Sequence, residues 1–118
     1  MRAKDGVGSY GEQVAVRHLE QAGFTIVARN WRCEIGEIDV VALDGPTVVV
    51  CEVKTRSGLG FGSGLEAVTW SKAARLRRLG RRWLVDHGRL GTPLRFDVLA
   101  VHRSGRGPAT VEHLRGAF

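Results

Sequence analysis

Asp39, Glu52 and Lys54 are the residues whose types and spacing could do chemistry together. The segment Val48-Val49-Val50-Cys51-Glu52-Val53-Lys54 begins as a buried-type strand and then abruptly carries ionised groups. Side chains alternate along a strand, so Val48, Val50, Glu52 and Lys54 share one face. Glu52 and Lys54 are then about 6.6 Å apart along the backbone. Upstream, Asp39 is flanked by Ile38 and Val40. With a turn over residues 44–47, Leu43 faces Val48 and Asp39 falls opposite Glu52. Neighbouring carboxylates repel, and one tends to hold a proton unless a cation separates them. A divalent ion removes the conflict, and oxygen-only donors suit Mg²⁺ or Mn²⁺. Lys54 beside such an ion is placed to hold a water or a phosphate oxygen. The competing reading is structural: Glu52 pairs with Lys54 or Arg56, and Asp39 with Arg95. An isolated Glu-x-Lys has almost no specificity. The signal is its combination with a preceding Asp, an upstream helix bearing an inward glutamate, Glu12, and a basic helix downstream.

The elements that must position these groups can be read from pattern. A first helix is predicted over Tyr10–Ala22, with Ser9 as N-cap, Ala15, Leu19 and Ala22 as the buried stripe, and Gly23 as its stop. Glu12 has two open readings, half of a Ser9-x-x-Glu12 capping box or a site residue. Strands follow over Phe24–Asn30, Glu37–Leu43 and Thr47–Arg56, the last two joined as an antiparallel hairpin by the turn signal Asp44-Gly45-Pro46. The Ser57–Gly64 segment is glycine-rich and reads as a connector, or as a loop whose Phe61 stacks on a base. A second helix is capped by Thr69 and stopped by Gly88. A strand over Leu94–Val101 follows, and Thr110–Leu114 is a candidate fifth strand beyond the turn at Gly105-Arg106-Gly107-Pro108. The order αβββαβ(β) implies an α/β fold, a mixed sheet flanked by helices, in a single domain spanning residues 1–118. The helix between the third and fourth strands permits a parallel crossover.

Net charge is +6, and residues 69–90 account for all of it: Lys72, Arg75, Arg77, Arg78, Arg81, Arg82 and Arg89 against Asp86. At 100° per residue, Ala73, Leu76, Leu79, Gly80, Trp83 and Leu84 fall on one arc, and Arg75, Arg77, Arg78, Arg81 and Arg82 on the rest. A solvated helix surface explains such a face. Arginine without lysine also suits phosphate, which the guanidinium fork binds bidentately. Lys72 differs, projecting within the apolar arc so that its ammonium reaches past the helix end towards the sheet, or simply snorkels.

Several function classes are excluded or unsupported. No apolar run approaches the roughly 20 residues of a transmembrane span, and the start lacks a signal peptide's apolar core, so a cytoplasmic protein with reduced thiols is expected. Cys33 and Cys51 have neither Cys-x-x-Cys spacing nor a histidine partner, so zinc is not expected. The glycine segment lacks the Lys-Ser/Thr of a P-loop, so no nucleotide cofactor is expected. Asp97 reads as the structural partner of Arg95. Trp31, Trp70 and Trp83 read as core anchors, with Trp70 open to being exposed at the start of the basic helix.

Asp39 followed by Glu52-Val53-Lys54 resembles the PD-(D/E)XK nuclease signature, with Ile38 in place of the leading proline. Over nearly the whole chain, Gly11-Glu12, Ala28-Arg29-Asn30-Trp31, Gly36-Glu37-Ile38-Asp39, Glu52-Val53-Lys54-Thr55-Arg56, Lys72, Arg95-Phe96-Asp97-Val98 and Glu112-His113-Leu114 resemble the small bacterial YraN family, regarded as related to archaeal Holliday-junction resolvases. The resemblance implies a restriction-endonuclease-like fold and a metal-dependent endonuclease acting on DNA, perhaps branched. Asp39 and Glu52 would be metal ligands with the Val53 carbonyl, and Lys54 would orient the water. Glu12 would correspond to the helix glutamate of resolvase-like members, and Arg56 and Lys72 would contact phosphates. A junction substrate would suit a homodimer. The alternatives are a nucleic-acid-binding module without cleavage, for DNA or RNA, and a protein-interaction factor with structural carboxylates.

Overall fold

The computed structural model describes residues 6–57, 68–103, 105 and 107–118, without the side chains of 6–8 and 57. Residues 58–64 of the glycine-rich segment, Phe61 included, lie outside the described residues, as do residues 1–5 and Arg106. Helix α1 (Gly6–Gln21) is followed by β1 (Thr25–Cys33), β2 (Gly36–Asp44), β3 (Thr47–Ser57), α2 (Trp70–Asp86), β4 (Leu94–Arg103) and β5 (Thr110–Leu114). The expected order and fifth strand are therefore present.

The strands lie in the order β1-β2-β3-β4-β5 in one five-stranded sheet. Gly45, at φ +59, followed by Pro46 with its fixed negative φ, suits a two-residue hairpin turn. It sets Leu43 opposite Val48, the register expected from the sequence. β3 and β4 run parallel from Val48–Leu94 to Ser57–Arg103, and the other three pairings are antiparallel. α2 is the crossover between the parallel strands.

The sheet is covered on both faces. On one, Ala15 and Leu19 of α1 pack on Val40, Ala42, Val49, Cys51, Leu99 and Val101. On the other, Leu76, Leu79, Trp83 and Leu84 of α2 pack on Ile38, Val41, Val48, Val50 and Phe96. The buried residues of α2 are the six predicted from the periodicity. Thr69 caps it, its side-chain oxygen accepting from the Lys72 N–H at 3.1 Å, and Gly88 follows its end at φ +65.

Two expectations need correction. α1 starts at Gly6, so Ser9 lies inside the helix and the capping-box reading of Ser9-x-x-Glu12 fails. Ala22 lies past the last helical residue and is exposed, so the buried stripe is shorter than expected. Glu12 itself is buried, as its place on that stripe requires.

Candidate functional site

β2 is irregular at the aspartate. Its pairing with β1 shifts register between Ile26 and Ala28 and then holds from Ala28–Val41 to Cys33–Gly36, yet Asn30, between Arg29 and Trp31, has φ +53. Val40 packs in the α1-side core and Ile38 in the α2-side core, although they are two residues apart. Strand alternation would put both on one face, so the pleat reverses at Asp39. Asparagine tolerates the left-handed region better than most residues, which explains its use at the reversal. The register between β2 and β3 ends nearby, at Val40–Cys51. Where that ladder ends, Asp39 Oδ2 accepts a hydrogen bond from the Val53 N–H at 2.9 Å. One carboxylate is thus pinned to β3 one residue after Glu52.

Glu52 follows Val48 and Val50 on the α2 face. Its carboxyl is a hydrogen-bonding neighbour of Asp39. Burial first, and then the Asp39 charge, push the Glu52 carboxyl above the ordinary range, while the Lys72 ammonium opposes both. Lys72 Nζ forms an ion pair with Glu52 Oε2. The Thr69 cap fixes the helix start that aims Lys72 at the sheet. Lys54 is half-buried, and has no hydrogen-bond or ion-pair partner among the described residues. The competing structural pairs are not those observed. Glu52 pairs with Lys72, and the three side-chain nitrogens of Arg95 are used by Asp97 and Asp44.

Glu12 lies in the opposite layer. Its Oε1 is 4.0 Å from Arg29 Nη2, and adjacent Gly11 lies so close to β3 that a Cβ there would be 1.8 Å from Thr55 Oγ1. Among the described residues no three His, Cys, Asp or Glu side chains converge as a metal-ligating group. What converges is the Asp39–Glu52 pair. Two carboxylates with water and substrate oxygens are a donor set that suits Mg²⁺ or Mn²⁺, so the residues present fit a hard cation.

The basic helix divides into two parts. Arg75, Arg77, Arg78 and Arg81 are exposed. Arg82 is committed, with Nε 3.1 Å from Asp86 Oδ1 and Nη2 3.1 Å from Glu34 Oε1. Lys72 is directed at Glu52 and is not part of the outer arginine face. Arg56 is half-buried at the far end of β3. Trp83 is buried in the core, whereas Trp70 is 90% exposed, so its reading as a core anchor is wrong.

Asp97 has the structural role expected of it, and more partners than the sequence suggested. It is fully buried, receives Arg95 Nε and Nη2 at 2.9 Å each, and accepts from His113 Nε2 at 2.8 Å and the Gly116 N–H at 3.0 Å. Burial would raise this carboxyl, but His113, Arg95 and Gly116 outweigh it and hold it down at about 2. No residue pattern signals the Gly116 bond, because its donor is backbone. Cys51 points to the α1-side core, and burial raises its thiol pKa well above the ordinary range. Cys33 and Cys51 are both free thiols.

The chain is therefore a mixed α/β protein, a five-stranded sheet between helices, with paired carboxylates and a lysine at a break in the sheet. Residues 11–101 match the family described as Uncharacterised protein family UPF0102, and the chain belongs to that family. It is 57% identical to a UPF0102 protein of Frankia casuarinae over 118 residues, all of both chains. It is 58% identical to one from Frankia alni over 118 residues, all of this chain and 98% of the relative. A third relative, from Kineococcus radiotolerans, is 59% identical over 117 residues, 98% of this chain and 96% of its own length. No helix among the described residues is long and apolar enough to cross a membrane.

Proposed function

We propose that the chain is a metal-dependent nuclease of the PD-(D/E)XK, restriction-endonuclease-like kind, hydrolysing phosphodiester bonds in DNA in the cytoplasm, branched DNA included. The observation that carries this reading is the juxtaposition of Asp39 and Glu52, drawn from strands whose register stops beside them, with Lys54 on the next same-face position and unpaired among the described residues. Sheet architecture alone does not require two carboxylates at one buried-edge position, where the Asp39 charge raises the proton affinity of Glu52.

Asp39 and Glu52 would hold Mg²⁺ or Mn²⁺, with the Val53 carbonyl as a third donor. Bound there, the ion would polarise the scissile phosphate and acidify the attacking water. Lys54 orients that water or steadies a phosphate oxygen. Lys72 neutralises Glu52 in the metal-free chain and lies within reach of a phosphate approaching the same carboxylate. Arg56, Arg75, Arg77, Arg78 and Arg81 supply affinity for the nucleic-acid backbone, and a homodimer would present two sites to a junction. Glu12, in the opposite layer and near Arg29, supports the α1–sheet contact in this reading.

The exposed arginines favour a second reading equally well, a binding module without cleavage. The two separate on incubation of duplex, flap, four-way and single-stranded DNA, and RNA, with Mg²⁺ or Mn²⁺, using wild type, Glu52→Ala and Lys54→Ala. The nuclease reading requires metal-dependent products that fall at least about 100-fold in each variant, the scale of a lost acid–base or charge-stabilising group. Equal trace nicking by all three proteins would contradict it.

A further inference from the structure

Trp70 is out of place for a core residue. It opens α2, is 90% exposed, and stands two positions before the lysine that pairs with Glu52. Its companions on the helix surface are informative. Trp70, Ala74, Arg77 and Arg81 recur at i, i+4, i+7 and i+11, which places them in one stripe. All four are exposed. The indole thus lies at one end of a cationic ridge, with a small residue between it and the first guanidinium. By helix rise, Arg77 and Arg81 are about 10 Å and 16 Å further along. Beside the indole is a groove of about 300 Å³ lined by Thr69, Trp70, Ala73, Arg77 and Phe118, among others. The Arg77 guanidinium is 5.7 Å from the centroid of the Phe118 ring, which holds it at the groove wall.

An exposed indole followed by regularly spaced guanidiniums matches a nucleotide strand in both its chemistries. The aromatic face takes a base by stacking, and the arginines take successive phosphates. Duplex DNA offers the arginines their phosphates but leaves no base free for the indole. We infer that Trp70 is a stacking platform for an unpaired base, and that the preferred ligand is a nucleic acid with a single-stranded segment at the N-terminus of α2. The inference rests on the nucleic-acid part of the proposed function but not on cleavage.

The test titrates the full chain, without divalent metal, with a single-stranded oligodeoxynucleotide and with an abasic oligomer of equal length and charge, following tryptophan emission for quenching and the anisotropy of a fluorescein-labelled strand for affinity. Wild type is compared with Trp70→Phe and Trp70→Ala. The expected result is quenching by the base-bearing strand that is absent in Trp70→Phe, with affinity kept within about threefold by the phenyl ring and lost by about tenfold in Trp70→Ala. Duplex affinity should be the same in all three proteins. Equal affinity for base-bearing and abasic strands, no binding to either, or single-strand binding unchanged in Trp70→Ala would overturn the inference. Failures remain distinguishable: metal-dependent cleavage lost in Glu52→Ala alongside an inert Trp70 removes only the platform, whereas Trp70-dependent binding without cleavage removes only the nuclease reading.

Discussion

Glu52 is surrounded by opposing influences. Burial and Asp39 favour its neutral form, while Lys72 favours its charge, and the first two prevail. A carboxyl raised on folding contributes stability below its unfolded pKa and loses it as pH rises through its folded value. In the metal-free chain Glu52→Gln, permanently neutral, should therefore unfold in urea at pH 7 no more easily than wild type. Lys72→Met should destabilise wild type yet cost little in the Glu52→Gln background, a coupling of roughly 1–2 kcal/mol after allowance for partial exposure of the lysine. A coupling near zero would show that the Lys72–Glu52 pair is energetically idle. At this scale the sequence carried the pair but not its setting. Leu43 opposite Val48 follows from the turn residues, and Asp39 beside Glu52 follows by counting. The pleat reversal at Asp39 has no hydrophobic signature, because it depends on the backbone of Asn30. The inward aim of Lys72 was legible from its helical angle, but its partner was not.

The second helix shows how far periodicity reaches. Its cap, stop and buried residues follow from Thr69, Gly88 and the 3.6-residue repeat, because each is a local property. The start of α1 does not follow, since Gly6 and Gly8 are poor helix formers and Ser9 is a good N-cap. The helix nevertheless runs through them. Gly11 marks where α1 meets β3, and its missing side chain sets the approach. Gly11→Ala should lower the unfolding free energy by roughly 1–3 kcal/mol or more, because the added Cβ meets the β-branched Thr55, which has little freedom to move. Thermal denaturation checks this. Loss below about 0.5 kcal/mol, the ordinary scatter of surface substitutions, would mean that the helix docks less tightly than described. On α2, neutralising Arg77, Arg78 and Arg81 together should flatten the logarithmic salt dependence of duplex binding by about 2.7, near 0.9 per phosphate contact. Arg82→Gln should leave that slope unchanged, because Glu34 and Asp86 already hold the guanidinium.

Across the whole molecule, the charge excess and the site lie on the α2 side of the sheet, while the buried ionic network lies with the α1-side core. Asp97 links β4 through Arg95 to Asp44 at the β2–β3 turn, through His113 to β5, and through the Gly116 N–H to the C-terminal segment. Its pKa is depressed from 3.8 to about 2, so the linkage sign is opposite to that of Glu52. Stability should be fully present above pH 4 and fall by on the order of 2 kcal/mol as the pH drops towards 2. Asp97→Asn should lower stability at pH 7 and flatten this acid limb, as read by urea unfolding between pH 7 and 2.5. The Arg95–Asp97 pairing could be read from two same-face positions on one strand. His113 and Asp44 are distant in sequence, and only the folded sheet brings them in.

In the proposed nuclease, Asp39 and Glu52 together hold one hard divalent ion. Mn²⁺ titration followed by electron paramagnetic resonance tests it directly, with wild type, Asp39→Asn, Glu52→Gln and Arg77→Ala at neutral pH. One bound ion is expected in wild type and Arg77→Ala, displaced by excess Mg²⁺, and none at matched concentration in either carboxylate variant. No bound ion in wild type, or equal binding in Glu52→Gln, would contradict it.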